Sequence, residues 1–366
     1  MKKHGKGYHV LISLCLVISL IAGGCTPASP EKGGAGAVDV PKKLIRVGFS
    51  QLGAESDWRR ANTASMQQTF TAEKGYQLIL EDAQQKQANQ TMSIRRFIQQ
   101  GVDYIVVAPA TETGWDNVLQ EAKNAGIPVV LIDRKIDVKD ATLYTCWIGS
   151  NFRLEGVKVT GWIKQYLEDH KIRNKDVHIF DLQGSNGATA QLGRSEGLRV
   201  AAQSNGWDIV DSMDGDFTEA KGHEVTQRML NAHPETNIIY CENDNMALGA
   251  IKAIEQAGRV PGKAVDKGEI MVVSFDGVSR DAMQYLIDGK IACIGECYPA
   301  HGAYVQSVIE MMENGKQPDK ESFVREGIYS ADSSITQVNV GNNAYSVTVV
   351  TPEWMEERSL LTGDDI

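Results

Sequence analysis

Short apolar runs alternate along this chain with longer stretches of helical periodicity, and the joint between them recurs. A helix-like stretch ends in glycine and a β-rich run follows at once. The joint appears at Gly75 before Tyr76 to Leu80, at Gly101 before Val102 to Val107, and at Gly126 before Ile127 to Ile132. It returns in the second half at Ser204-Asn205-Gly206 and at Asp288-Gly289 before Ile291 to Ile294. Glycine accepts the left-handed conformation that closes a helix, so each joint predicts a short helix-to-strand loop. The strands read as continuous apolar runs, as expected where helices cover both faces of a parallel sheet. Such alternation predicts repeated right-handed βαβ units and an α/β fold.

The pattern places strands at 44–50, 76–82, 102–108 and 127–132, with helices at 57–74, 88–100 and 113–125 between them. A strand at 143–149 leads away. A second set follows, with strands near 176–182, 207–213, 236–241 and 270–275 and helices near 152–170, 187–204, 218–232, 244–257 and 279–287. The run 291–297 reads as a return crossing, the helix 300–314 as rejoining the first lobe, and 323–329 as a third crossing. The two halves share a plan without detectable sequence identity. Beyond residue 330 the pattern weakens; Tyr345 to Val350 reads as a strand that Trp354 anchors.

At 366 residues the chain suits two cores better than one. Its net charge of −10, with no basic run past the first residues, excludes a nucleic-acid footprint. Lys2, Lys3 and Lys6 precede an apolar stretch, Val10 to Ile21, that is too short to span a bilayer. Ala22-Gly23-Gly24-Cys25 follows and resembles a bacterial lipobox, so 1–25 reads as a lipoprotein signal with Cys25 as the lipidated residue. An ordinary secretory signal with an incidental cysteine is the alternative. Residues 26–43, rich in Pro, Gly, Ala and Ser, read as a flexible tether. The expected lobes are 44–147 plus 297–327, and 148–296 plus 328–366. Cys146, Cys241, Cys293 and Cys297 remain in the mature chain and read as small buried residues. Cys293 and Cys297 would lie roughly 13 Å apart along one strand, too far to bond.

Polar groups gather just past the carboxyl ends of the predicted strands, where ligands bind in open α/β sheets. The first such loop holds Glu55, Ser56, Asp57, Trp58, Arg59 and Arg60. Carboxylate, amide and guanidinium groups pair bidentately with sugar hydroxyls, and an indole offers a flat surface to the C–H face. The plainer reading makes Asp57 an N-cap and Trp58 a packed residue. Asp133 and Arg134 follow the fourth strand, where a salt-bridged loop is the alternative. Arg194 lies on a helix of the second half. Asn243 is also a favoured N-cap, and Asp276 also a turn carboxylate. Gln84 to Gln87, Asn89 and Gln90 are expected behind the contact layer. No HExxH, Gly-x-Ser-x-Gly or Walker motif is present, and no spacing suggests zinc or an EF-hand. The chain reads as a non-enzyme with no catalytic residues, cofactor or metal.

The stretches VGFSQLGAESDWR, DAQQKQANQ, GVDYIVVAPATETGW, IDRKIDVKD, DLQGSNGA, GDFTEAKG, ENDNMALGAI and SFDGV resemble, in order, those of the periplasmic sugar-binding proteins of ABC transporters. These form the ribose/galactose cluster, related to LacI-type ligand domains, and the similarity is greatest to its galactofuranose-binding branch. It covers roughly residues 44 to 330. The resemblance implies two Rossmann-like lobes with parallel sheets, joined by three hinge crossings, with sugar bound between them. It also implies ligand contacts at Glu55, Ser56, Asp57, Trp58, Arg59, Asp133, Arg134, Arg194, Asn243 and Asp276. Asp57 stands where that branch carries glycine. Leu192 stands where ribose binders carry arginine, which points away from ribose. Glu296 falls near a hinge crossing, as a ligand contact or a hinge residue.

The expected function is therefore a lipid-anchored, extracytoplasmic or periplasmic substrate-binding protein of a sugar importer. Its expected partners are a galactofuranose- or galactose-like monosaccharide, ABC permease subunits and the membrane through its lipid, with the protein itself a monomer. The alternative is a sugar receptor feeding a membrane sensor kinase or chemoreceptor. A sugar-processing enzyme would need a base–nucleophile pair that the sequence lacks.

Overall fold

The computed structural model describes residues 43–357. The signal segment, Cys25, the tether up to residue 42 and the tail beyond residue 357 lie outside the described residues. No described helix is long and apolar enough to cross a membrane.

The first half runs β1 (Ile45–Gln51), α1 (Asp57–Thr69), β2 (Tyr76–Asp82), α2 (Gln87–Gln100), β3 (Tyr104–Val107), α3 (Asp116–Asn124), β4 (Val129–Ile132) and β5 (Cys146–Gly149). The second runs α4 (Phe152–Asp169), β6 (His178–Gln183), α5 (Thr189–Asn205), β7 (Asp208–Asp214), α6 (Glu219–Ala232), β8 (Ile238–Cys241), α7 (Asp244–Gln256), β9 (Met271–Asp276), α8 (Arg280–Ile287) and β10 (Cys293–Glu296). The chain then returns through α9 (Gly302–Glu313) and β11 (Glu321–Phe323). It leaves again into β12 (Ile328–Ser330), β13 (Gln337–Val340), β14 (Asn343–Val349) and α10 (Pro352–Glu357).

One sheet has the order β11-β5-β4-β3-β1-β2, and the other β13-β14-β12-β10-β9-β8-β6-β7. The pairs from β6 to β10 are parallel, whereas β10–β12 and β13–β14 are antiparallel. The fold is thus α/β with two parallel-dominated sheets. The chain passes between them at 150–151, 297–301 and 324–327. The glycine joints form as expected: Gly75, Gly101, Gly126, Gly206 and Gly289 have φ of 90°, 61°, 73°, 72° and 78°. None of the five has a neighbour within 4 Å of an added Cβ, so the backbone conformation selects glycine there.

Helix α1 stops earlier than its periodicity suggests. It closes at Thr69, where the Phe70 N–H bonds back to Met66, and residues 72–74 form a separate 3₁₀ turn. The run 323–329 carries the chain from one sheet to the other, as expected: β11 joins β5 in the first sheet, and β12 joins β10 in the second. The tail becomes structural cover, with Val338 and Val347 buried in the second lobe and Trp354 packed on Tyr329 at 5.5 Å.

The shared plan of the halves reaches down to individual turns. After β2, Asp82 Oδ1 accepts the Gln84 N–H at 2.7 Å, and after β7, Asp214 Oδ1 accepts the Asp216 N–H at 2.7 Å. Two consecutive left-handed residues follow each time: Gln84 and Gln85 (φ 52° and 59°), then Asp216 and Phe217 (φ 54° and 57°). Asp133 after β4 and Asp276 closing β9 are left-handed as well, at 64° and 97°. Non-glycine residues in this region carry strain and gather where geometry is dictated by function.

Candidate functional site

Strand ends of both lobes face one another and enclose about 330 Å³ of empty space, part of it open to solvent. The lining comprises Glu55, Ser56, Trp58, Arg59, Asp133, Arg134, Arg194, Asn243 and Asp276, with Phe152, Ala190, Phe217 and Cys297 added. Nine of the ten positions singled out from the sequence therefore meet at one cavity.

On the first lobe, Ser56 caps α1 by accepting the Arg59 N–H at 3.2 Å. This turns the Arg59 side chain inward, where its guanidinium spans Glu55 (3.2 Å) and Asp133 (2.7 Å). Burial pulls the Arg59 pKa down, but Asp133 and Glu55 outweigh it and hold the group firmly charged. Glu55 keeps its second oxygen, Oε2, buried and without a hydrogen-bond partner. Arg134 differs from Arg59. Among the described residues it has no carboxylate partner, only a long bond to the Ala110 carbonyl (3.4 Å) and the Phe217 ring 5.7 Å away. Burial, followed by the like charge of Arg59, lowers its pKa. A guanidinium has five N–H donors, so most of those on Arg134 are available to a ligand.

On the second lobe, Arg194 points from α5 to the ends of β8 and β9. Its Nε donates to Glu155 (2.8 Å), one Nη to the Glu242 carbonyl, and the other Nη to Asp276 Oδ1 (3.2 Å). Burial drives the Asp276 pKa up, and Arg194 offsets part of that rise. Asp244, the first residue of α7, fixes the loop beyond Asp276 by accepting the N–H groups of Val278 (2.9 Å) and Ser279 (3.2 Å). Asn243 lines the cavity but spends its amide inside the protein. Its Oδ1 caps α7 at Met246 N (2.9 Å), and its Nδ2 donates to the Phe217 carbonyl (3.0 Å).

Several placements differ from expectation. Asp57 is outside the lining and is not the N-cap. It pairs with Arg60, and its N–H donates to Asn245 Oδ1 of the other lobe at 3.1 Å. Trp58 is only 5% exposed; its Nε1 donates to the Cys297 carbonyl at 2.8 Å, and its ring meets His301 edge-on. Flat apolar surface is therefore supplied by Phe152 and Phe217 as well. Leu192 is 46% exposed and outside the lining, so its identity does not argue against ribose. Glu296 bonds the third crossing through Gly327 N (2.7 Å) and the Tyr329 hydroxyl, away from the cavity. Gln90 holds the first sheet together, donating to Ser50 and Ala108 carbonyls (3.3 and 2.7 Å).

Sequence reasoning passed over Glu155, Phe217 and Cys297. The left-handed pair at Asp216-Phe217 was findable, because Asp214-Gly215-Asp216 repeats the turn grammar of Asp82-Ala83-Gln84. Gly184 admits Phe217 by closeness: a Cβ there would sit 1.9 Å from its ring. All four described cysteines are buried and free. Among the described residues, Glu155, Cys297 and Glu326 form the one group with metal-capable donor atoms mutually close, within 4.8 Å.

The model of the periplasmic binding protein domain matches residues 47–317. The galactofuranose-binding protein YtfQ of Escherichia coli (strain K12) is 35% identical over 304 residues, covering 82% of this chain and 92% of that one. A solved structure from Mycobacterium smegmatis in complex with β-D-fucofuranose is 37% identical, with TM-score 0.73, over 78% of this chain and 91% of that one. The periplasmic component of an arabinose ABC transporter from Shewanella sp. ANA-3, bound to α- and β-L-arabinofuranose, is 39% identical. Its TM-score is 0.70, over 77% of this chain and 91% of that one.

Proposed function

The chain belongs to the periplasmic binding protein family, and from that premise we propose that it captures a monosaccharide in furanose form for an ABC importer. In this reading Cys25 carries the lipid that holds the protein at the outer face of the cell membrane, and the permease recognises the sugar-loaded, closed form. The observation that carries it is the division of labour at the cavity. Each lobe brings a buried guanidinium clamped by carboxylates, and neither lobe encloses the space alone. The first lobe adds Arg134, whose donors lack a charged partner, and Glu55 Oε2, an acceptor with none. A sugar hydroxyl, both donor and acceptor, answers both needs. Its C–H face fits the aromatic walls. Ligand held from both sides favours closure by its differential affinity for the closed form. Three relatives whose names or titles specify galactofuranose, fucofuranose and arabinofuranose support the five-membered ring.

A thermal-shift panel of galactose, arabinose, fructose and ribose tests this. A true ligand at a hundredfold its Kd stabilises by about 2.7 kcal/mol. ¹³C spectra of labelled galactose bound to the protein are expected to show the furanose form enriched over its share in solution. A panel without any stabilising sugar, or a bound pyranose, would overturn the corresponding half of the proposal.

A further inference from the structure

The three crossings converge on one buried cluster next to the sugar cavity. Ser150 comes from the first, Cys297 from the second and Glu326 from the third; α4 adds Glu155. Glu326 Oε1 accepts the Ser150 hydroxyl (2.5 Å) and the Tyr298 N–H (2.9 Å). Ser150 Oγ also touches Cys297 Sγ at 3.3 Å. Glu155 binds Arg194 with Oε2, whereas its Oε1 is buried without a hydrogen-bond donor. A carboxylate oxygen of Glu326 lies within 4.8 Å of one of Glu155.

Two carboxylates that close, shielded from water, cannot both remain ionised at low cost. A proton on one of them resolves both observations, since it removes a charge and provides the donor that Glu155 Oε1 lacks. We propose that Glu326 is a positioning residue for sugar binding: its protonated carboxyl donates to Glu155 Oε1, and Glu155 in turn holds Arg194 against the cavity. The proton belongs on Glu326 rather than Glu155, because Glu155 Oε2 already accepts from the Arg194 guanidinium at 2.8 Å. Burial, and next the Glu155 charge, push Glu326 well above the usual carboxylate range.

Other charged groups face the cluster from each packed element. Lys158 of α4 donates to the Glu326 backbone carbonyl at 2.7 Å and carries the nearby positive charge. Arg194 faces it from α5, Asp276 from the end of β9, Glu296 from the end of β10 and the Cys297 thiol from the second crossing. Lys158 makes a proton a better occupant than a metal ion, because the cluster already contains a cation.

The consequence is a proton-linked hinge. With its pKa raised in the closed form, Glu326 contributes to closure fully at low pH, and the contribution is lost as pH rises through that pKa. Sugar binding should therefore take up a proton where the open form is ionised. This rests on the sugar-binding reading above, so one readout is chosen to need no sugar.

Infrared spectra of the wild-type protein at neutral pH should show a protonated-carboxyl band that is absent from Glu326→Gln. Titration calorimetry in buffers of differing ionisation enthalpy should show proton uptake on sugar binding at a pH high enough for the sugar-free protein to have lost that band. Affinity should fall by up to tenfold per pH unit between the open-form pKa and the higher closed-form one, and Glu326→Gln should bind with a flat pH profile. A wild-type spectrum with neither a free-protein nor a sugar-bound band overturns the proposal, as does an unchanged pH profile in the variant. If the band is present but no sugar binds at any pH, the sugar reading fails while the shared proton stands. Wild-type proton uptake suffices as the test should the variant not fold.

Discussion

A substitution at Asp276, which lines the cavity, is expected to separate ligand binding from folding. Alanine there would confuse the two, because Asp276 has φ 97°. A left-handed residue bearing a Cβ costs roughly 1–2 kcal/mol, a cost that asparagine and aspartate bear best. Asp276→Asn keeps the shape and can still accept from Arg194, now 3.2 Å away. It removes only the charge. In the ligand-free protein that charge is held against a burial penalty, so its loss should leave the melting temperature unchanged or raise it. In the complex the carboxylate would accept a sugar hydroxyl, and a hydrogen bond to a charged group is worth about 1.5–3 kcal/mol. Asp276→Asn should thus weaken sugar binding roughly ten- to a hundredfold. Titration calorimetry and thermal denaturation on the same preparation decide it. A Kd within twofold of the parent would mean that Asp276 only orients Arg194. A parallel loss of melting temperature would mean that the residue is structural.

Trp58→Ala should destabilise the protein by about 3–5 kcal/mol in chemical denaturation, the cost of emptying a packed indole site, in addition to weakening sugar binding. Its burial and its bond to the second crossing make it a strut between the first lobe and that crossing. Burial pushes the His301 pKa down to about 4 from an ordinary 6.5. The unfolded chain then binds more protons between those values, so stability should fall by about 3 kcal/mol as pH drops from 6.5 to 4. His301→Phe, which keeps an edge against Trp58, should flatten that part of the denaturation profile. Cys25→Ser should move the protein from the membrane to the soluble fraction of fractionated cells, and retention in the membrane would point to another anchor.

Much of this molecule follows from local chemistry that a sequence displays directly. Helix-ending glycines, continuous apolar strands and polar residues just beyond them are short-range features. They specify βαβ units and identify which end of each sheet is chemically active. Trp58, Asp133 and Asp276 were legible for that reason, since each lies within a few residues of a strand end. What the pattern lacks is direction across space. Asp57 and Arg59 are two residues apart on one helix, about 200° around its axis, so one meets the other lobe's rim while its neighbour enters the cavity. Asn243 proves to be both cap and cavity wall, because the start of α7 coincides with the end of β8. The partners of Arg194 come from α4, from just beyond β8 and from the end of β9, and Glu155 lies 39 residues away in sequence. The hinge cluster draws on positions 150, 297 and 326, which no local period links. Only the packing of two separately wound sheets, stitched by three strands of chain, brings those carboxylates together where water cannot separate their charges.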